Sequence, residues 1–171
     1  MGVHPLLTIL AAALVGLVIS TAPSAAAGKV VAFRSDAVSG TVIVRTGERK
    51  LYLVLGEGRA LRYSVGVGRA GRQWAGTVFV EGKHLNPNWA PPAAVRVDRP
   101  NLPDVIPGGS PANPMGVAAL TLSGGEYAIH GTNAPNSIGG FVSYGCIRMF
   151  NQDITELYGH VHVGTQVVVT P

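Results

Sequence analysis

A chain of 171 residues that is 47% hydrophobic and 13% charged has apolar surface enough for one folded domain and too much for a disordered one. Its single cysteine excludes an internal disulfide and the multi-cysteine zinc patterns. The formal charge of +4 comes from scattered Lys and Arg with no basic stripe interleaved with aromatics, so nucleic acid is not an expected partner.

Residues 1–27 contain no Lys, Arg, Asp or Glu. An apolar run over residues 6–20 is followed by Thr21-Ala22-Pro23-Ser24-Ala25-Ala26-Ala27, the layout of a secretory signal with a cleavage site near Ala27. The run is shorter than the roughly 20 residues that span a bilayer, so cleavage after export is expected rather than a retained anchor. No cysteine follows it to carry a lipid. Residues 28–40 read as a short N-terminal segment and residues 41–171 as the domain proper.

Strands are predicted at residues 41–45, 50–55, 60–67 and 77–81, where Val, Leu and Tyr runs alternate with Gly-containing turns such as Gly56-Glu57-Gly58. Residues 84–116 hold eight of the 12 prolines, which predicts a long loop without helix or central strand. A loop of that length inside a small domain is usually functional. Strands resume at residues 118–122, 127–130 and 166–170. One helix is predicted, capped by Asn151, with Asp153 in its first turn, Ile154, Leu157 and Tyr158 on its buried face, and Gly159 at its end. His160 and His162 alternate as on a strand and lack a third ligand, so they read as exposed side chains and no metal is expected. The class is mainly β with one or two short helices.

The chemistry concentrates in residues 129–153. Cys146 is preceded by Gly145, which allows a sharp turn, and followed by Arg148, a cation able to stabilise a thiolate or hold a carboxylate. Upstream, His130 ends a predicted strand, and an imidazole within reach of a thiol activates it. On these residues alone, a nucleophilic cysteine competes with a small buried structural one.

His130-Gly131-Thr132-Asn133, then Ser143-Tyr144-Gly145-Cys146-Ile147-Arg148, then Asn151 and Asp153, resemble the signature of the L,D-transpeptidase family with its YkuD-type catalytic domain. The resemblance runs over about residues 40–170 and includes Asn86-Pro87-Asn88-Trp89-Ala90-Pro91-Pro92 and the loop around residues 107–116. It implies a β-sandwich-like fold, an exported enzyme of the periplasm or cell wall, action as a monomer and no cofactor. It further implies that Cys146 is acylated by a peptidoglycan stem tetrapeptide at its diamino acid, with release of D-alanine and His130 as base. Transfer to an amine then gives a cross-link or attaches a lipoprotein or outer-membrane protein to the wall; water instead gives a carboxypeptidase.

The resemblance also implies a Gly131 carbonyl that fixes the imidazole tautomer, and an oxyanion held by backbone N–H groups of Gly145 and Cys146, with Tyr144 beside them. Substrate contacts fall to Ser143, Arg148, Asn133 and Trp89, although an Arg148–Asp153 ion pair weighs equally for the arginine. Two positions depart from the family pattern. Tyr144 stands where histidine is usual, and Gln73-Trp74-Ala75-Gly76-Thr77-Val78-Phe79 lacks the usual proline and carries Trp74. Among rivals, a sortase lacks its T-L-x-T-C motif here, a papain-like protease needs a histidine further downstream than His162, and a non-catalytic wall-binding module has no need of a His130/Cys146 pair.

Overall fold

The computed structural model describes residues 28–125 and 127–171. The expected signal, residues 1–27, lies outside the described residues. Four antiparallel strands begin the fold: β1 (Lys29–Ala32), β2 (Val42–Arg45), β3 (Lys50–Gly56) and β4 (Arg59–Ser64), hydrogen-bonded in the order β1-β4-β3-β2. Strand β1 falls in the segment that the sequence left without an element. Alternation explains how the meander packs. Val42, Val44, Leu51, Leu53, Leu61 and Tyr63 face the main core, while Ile43, Tyr52, Val54 and Ala60 turn the other way to meet Phe33.

The next elements are β5 (Val67–Gly68), β6 (Gly76–Leu85), α1 (Ala93–Asp98), β7 (Ala118–Leu122) and β8 (Ala128–His130). After a 3-10 turn at Pro135–Ser137 come β9 (Phe141–Ser143), β10 (Ile147–Arg148), α2 (Asn151–His160) and β11 (Gln166–Thr170). The last strand lies parallel to β2 and antiparallel to β6, so the chain ends in the middle of the order β1-β4-β3-β2-β11-β6-β7-β8-β10. Strand β6 belongs to both halves of that order. Its first residues pair with β11 and its later ones with β7, across a bulge between Val80 and Gly82. Side chains from both halves and from Ile154 and Leu157 of α2 meet in one buried cluster. The main core thus grows along one nine-stranded hydrogen-bonded order, while β5 and β9 form a separate parallel pair.

Four expectations are corrected. The strand expected over residues 60–67 breaks after Ser64, because Gly66 leaves the meander to exchange backbone hydrogen bonds with Arg148. The proline-rich stretch does contain a helix, α1, with Pro92 at its N-cap. A helix start leaves its first N–H groups unpaired, so proline is harmless there. Asn151 is the first residue of α2 rather than its cap, and the helix runs through Gly159 to His160. His160 and His162 accordingly sit on a helix end and a turn, not on a strand.

Candidate active site

The site forms where β8 and β10 run parallel, with Arg148 opposite His130 and Ile147 opposite Ile129. Ile129, Ile147 and Met149 are fully buried, so the sheet's apolar face anchors these short strands. The Met149 N–H donates to the His130 carbonyl at 2.8 Å. Cys146 is thereby set immediately before the strand that borders His130.

His130 is 4% exposed, and its Nδ1 lies 2.6 Å from the Gly131 carbonyl oxygen. A carbonyl can only accept, so Nδ1 carries the proton and Nε2 keeps the basic lone pair. Burial, and after it the charge of Arg148, lowers the imidazole pKa to about 4 against the opposing pull of the Gly131 and Pro114 carbonyls. The ring is therefore neutral at pH 7. Gly131 owes its place to close packing, since a Cβ there would collide with Asn151 Oδ1. That same oxygen accepts from the Thr132 N–H at 2.9 Å, so the first residue of α2 holds the turn that follows His130.

The turn carrying Cys146 is closed from inside. Ser143, 1% exposed, donates through Oγ to the Cys146 carbonyl at 2.6 Å and accepts from the Gly145 N–H at 3.1 Å. Gly145 has φ +127°, and a Cβ would strike the Tyr127 ring. Trp74 stacks on Tyr127 with centroids 4.9 Å apart and donates from Nε1 to the Gly145 carbonyl at 2.8 Å. The Gly145 N–H thus meets Ser143 Oγ within the turn, and its carbonyl meets Trp74 from outside it.

Tyr144 faces away from this floor. Its hydroxyl donates to Asp98 Oδ2 at 2.5 Å, Arg69 Nη2 donates to the same oxygen at 2.6 Å, and the Arg69 guanidinium lies 4.2 Å over the tyrosine ring. The Tyr144 hydroxyl first, and Arg69 after it, hold the Asp98 carboxyl below its ordinary pKa. Tyr144 thus ties the cysteine turn to the C-terminal end of α1. Arg148 places Nη1 3.5 Å from Ser137 Oγ, and among the described residues it forms no ion pair with Asp153. Asp153 is buried in α2, where burial and then Glu156 raise its pKa to about 6.

One cleft is lined by Cys146, His130, Ser143, Tyr144 and Arg148 together with Trp89, Arg72, Tyr127, Met115 and Val95 of α1. Its walls carry two arginines and no carboxylate. Trp89 is fixed there by a backbone bridge to Ile106. Asn133 stands outside the lining; its amide donates to the Pro111 carbonyl at 3.0 Å and braces the loop. Trp74, Tyr127, Asp98 and Arg72 were not among the candidate residues. Trp74 had signalled itself as a departure from the family pattern, whereas Asp98, 46 positions from Tyr144, had no local signal. Among the described residues no three His, Cys, Asp or Glu side chains group to hold a metal, and no helix is long and apolar enough to cross a membrane.

Comparison with known proteins agrees with this geometry. Residues 39–169 match the family model described as YkuD, the L,D-transpeptidase catalytic domain. A protein of Salmonella typhimurium named probable L,D-transpeptidase ErfK/SrfK is 41% identical over 143 residues, which is 78% of this chain and 45% of the relative. The probable L,D-transpeptidase YbiS of Escherichia coli is 40% identical over 141 residues, 77% of this chain and 45% of that protein. The chain therefore spans about half the length of these relatives. Among solved structures, the catalytic domain of the Enterococcus faecium L,D-transpeptidase acylated by ertapenem aligns with a TM-score of 0.60 at 18% identity, over 80% of this chain and all of that one. L,D-transpeptidase 3 of Mycobacterium tuberculosis aligns with a TM-score of 0.59 at 16% identity, over 78% of this chain and 61% of that one.

Proposed function

The chain belongs to the L,D-transpeptidase catalytic-domain family of the YkuD type, and we propose that it acts as an exported peptidoglycan L,D-transpeptidase with Cys146 as nucleophile and His130 as base. The observation that carries this reading is the 2.6 Å contact of His130 Nδ1 with the Gly131 carbonyl oxygen. A neutral, buried imidazole whose Nδ1–H is tied to the Gly131 carbonyl can offer only Nε2 to a proton, and it shares one cleft with the chain's single cysteine. The Gly131 carbonyl does the orienting that a carboxylate does in other triads.

In the first half-reaction Nε2 of His130 takes the Cys146 thiol proton while Sγ attacks the carbonyl at the L-centre of the diamino acid in a stem tetrapeptide. The tetrahedral intermediate collapses to a thioester, the C–N bond to D-alanine breaks, and the imidazolium returns the proton to the leaving amine. Because the Gly145 N–H is occupied by Ser143 Oγ, stabilisation of the oxyanion passes to the neighbouring amides of the turn, with a single donor worth about 3–4 kcal/mol in other enzymes. An acceptor amine then attacks the thioester, His130 takes its proton, and Cys146 regains a hydrogen. A second stem as acceptor gives a cross-link, a wall-attached lipoprotein or outer-membrane protein gives anchorage, and water gives D-alanine release only.

The stem is a carboxylate-bearing peptide, and a cleft with Arg72 and Arg148 and no acidic wall supports it as the ligand. Trp89 supplies a flat apolar wall for the backbone of the donor. Neither an electron carrier nor a metal is needed in this sequence of steps. Incubation with disaccharide-tetrapeptides, followed by intact-protein and muropeptide mass spectrometry, tests the proposal. The expected result is an acyl adduct on the native chain with D-alanine release, dimers or tripeptides as products, and neither with Cys146→Ala. Unaltered muropeptides with the native protein would sink the enzymatic reading and leave a wall-binding module.

A further inference from the structure

The seat of Gly28 is the feature of the molecule that the catalytic reading leaves unexplained. Its backbone N–H donates to Glu156 Oε2 of α2 at 2.8 Å, across 128 positions of sequence. A Cβ on this residue would lie 2.6 Å from the Tyr63 ring, so glycine alone fits. Glu156 and the Tyr63 ring both meet this residue, and no cation is among the groups that act on the Tyr63 hydroxyl. Tyr63 is 2% exposed with Glu156 against its hydroxyl, and Asp153 Oδ1 on the same helix as Glu156 is buried without a hydrogen bond among the described residues. Glu156 and Asp153 form no ion pair there either. Buried polar atoms left unpaired ordinarily mark a missing partner. A single peptide N–H supplies one donor and no charge to this seat. An ammonium supplies three donors and the charge that two neighbouring carboxylates lack.

The residues immediately before Gly28 are Ala25-Ala26-Ala27, small side chains at the end of the apolar leader. We propose that a leader-cleaving peptidase hydrolyses the Ala27–Gly28 bond and that the new Gly28 ammonium docks on Glu156, beside the Tyr63 ring. Water adds across the amide: its hydroxyl completes the Ala27 carboxyl, its hydrogen goes to the Gly28 nitrogen, and that amine takes a further proton from solvent. No redox partner is involved. The amine is thus a structural clamp between the start of the mature chain and α2, the helix whose first residue braces the turn after His130. The step depends on export but not on transpeptidation, so its test stands apart from the muropeptide assay.

Protein carried through export with its own leader is purified, and its N-terminal residue is read by intact mass and Edman sequencing. Its α-amine is then acylated selectively at about pH 6.5, where lysines stay protonated. The first residue is expected to be Gly28. Acylation is expected to lower the melting temperature by about 3–6 °C in the native sequence and to leave Glu156→Gln nearly unmoved. Because Glu156 is half exposed, Glu156→Gln is expected to fold; Glu156→Asp provides a second variant with an intermediate shift. A different N-terminal residue, or an equal shift in native and Glu156→Gln protein, overturns the proposal.

Discussion

The floor of the cleft and the surface cluster around Tyr144 at its rim are built on opposite physics. On the floor, His130 and Ser143 are 4% and 1% exposed, and every contact that fixes them is a short hydrogen bond to or from backbone. On the rim, Arg69 and Asp98 keep 42% and 41% of their side-chain surface in water, pair with each other, and meet Tyr144 through its hydroxyl and its ring. Buried neutral hydrogen bonds hold geometry tightly because leaving them unmade costs the full desolvation of each group. Exposed ion pairs are screened and give up little when broken. The floor is suited to setting reactivity, the rim to shaping what reaches it.

The largest expected effect lies on the floor. His130→Gln should lower the rate of acylation by about 10²–10⁴-fold with the chain still folded, as removal of a general base does. A loss of only a fewfold in single-turnover acylation would move the base elsewhere and erase the distinction between floor and rim.

Gly145→Ala comes next. It adds a Cβ to a residue at φ +127° and pushes it into the Tyr127 ring, which should cost about 2–4 kcal/mol in urea unfolding and most of the activity. Full activity in this variant would mean that the Trp74–Tyr127 stack does not govern the cysteine turn.

The pH dependence of stability sets the floor against the buried carboxyl of α2. The pKa of His130 is depressed from 6.5 to about 4, so its contribution is complete above pH 6.5 and lost as pH falls through 4. At full protonation the loss amounts to about 3 kcal/mol. Asp153 has the opposite sign: with its pKa raised from 3.8 to about 6, its contribution is present at low pH and fades as pH rises through 6. Between pH 4 and 6 the two slopes oppose one another. Unfolding curves of the native chain should therefore vary little in that window, while His130→Gln should lose stability steadily from pH 4 to 6. In the native enzyme the acid limb of kcat/KM should fall near pH 4 instead of the ordinary histidine range.

The smallest effect belongs to the rim. Tyr144→Phe removes the hydroxyl that meets Asp98 and leaves the ring under Arg69. KM for the donor should rise about two- to fivefold with kcat nearly constant. A large fall in kcat would place Tyr144 with the catalytic floor.

Most of the β class, one of the two helices and the family to which the motif belongs were legible in the residues, because they rest on local alternation and on a contiguous motif. Strands β7 and β11 fall at the predicted residues 118–122 and 166–170, where Val, Leu and Ala runs are cleanly bounded. What escaped was set at long range. Pro91 and Pro92 read as helix breakers, yet Pro92 sits at the N-cap of α1, the one place where a missing N–H is harmless. Asn151 carries the composition of a cap, but its side chain is spent on the Thr132 N–H of another element. The carbonyl of Gly145 accepts from Trp74 Nε1, 71 positions away, a contact that no local stretch of residues announces.

The sequence by itself determined the alternating strands, the family motif and the chemistry that a histidine, a cysteine and an arginine at that spacing permit. Each depends on residues near one another in the chain. Only the tertiary structure decided that Trp74 locks the carbonyl of the cysteine turn and that Tyr144 answers to Asp98 rather than to the nucleophile. Those outcomes depend on the segment before β6 and the end of α1 being brought to the cysteine turn as the chain buries its core. Burial is a property of the whole chain, and no local stretch of residues encodes it.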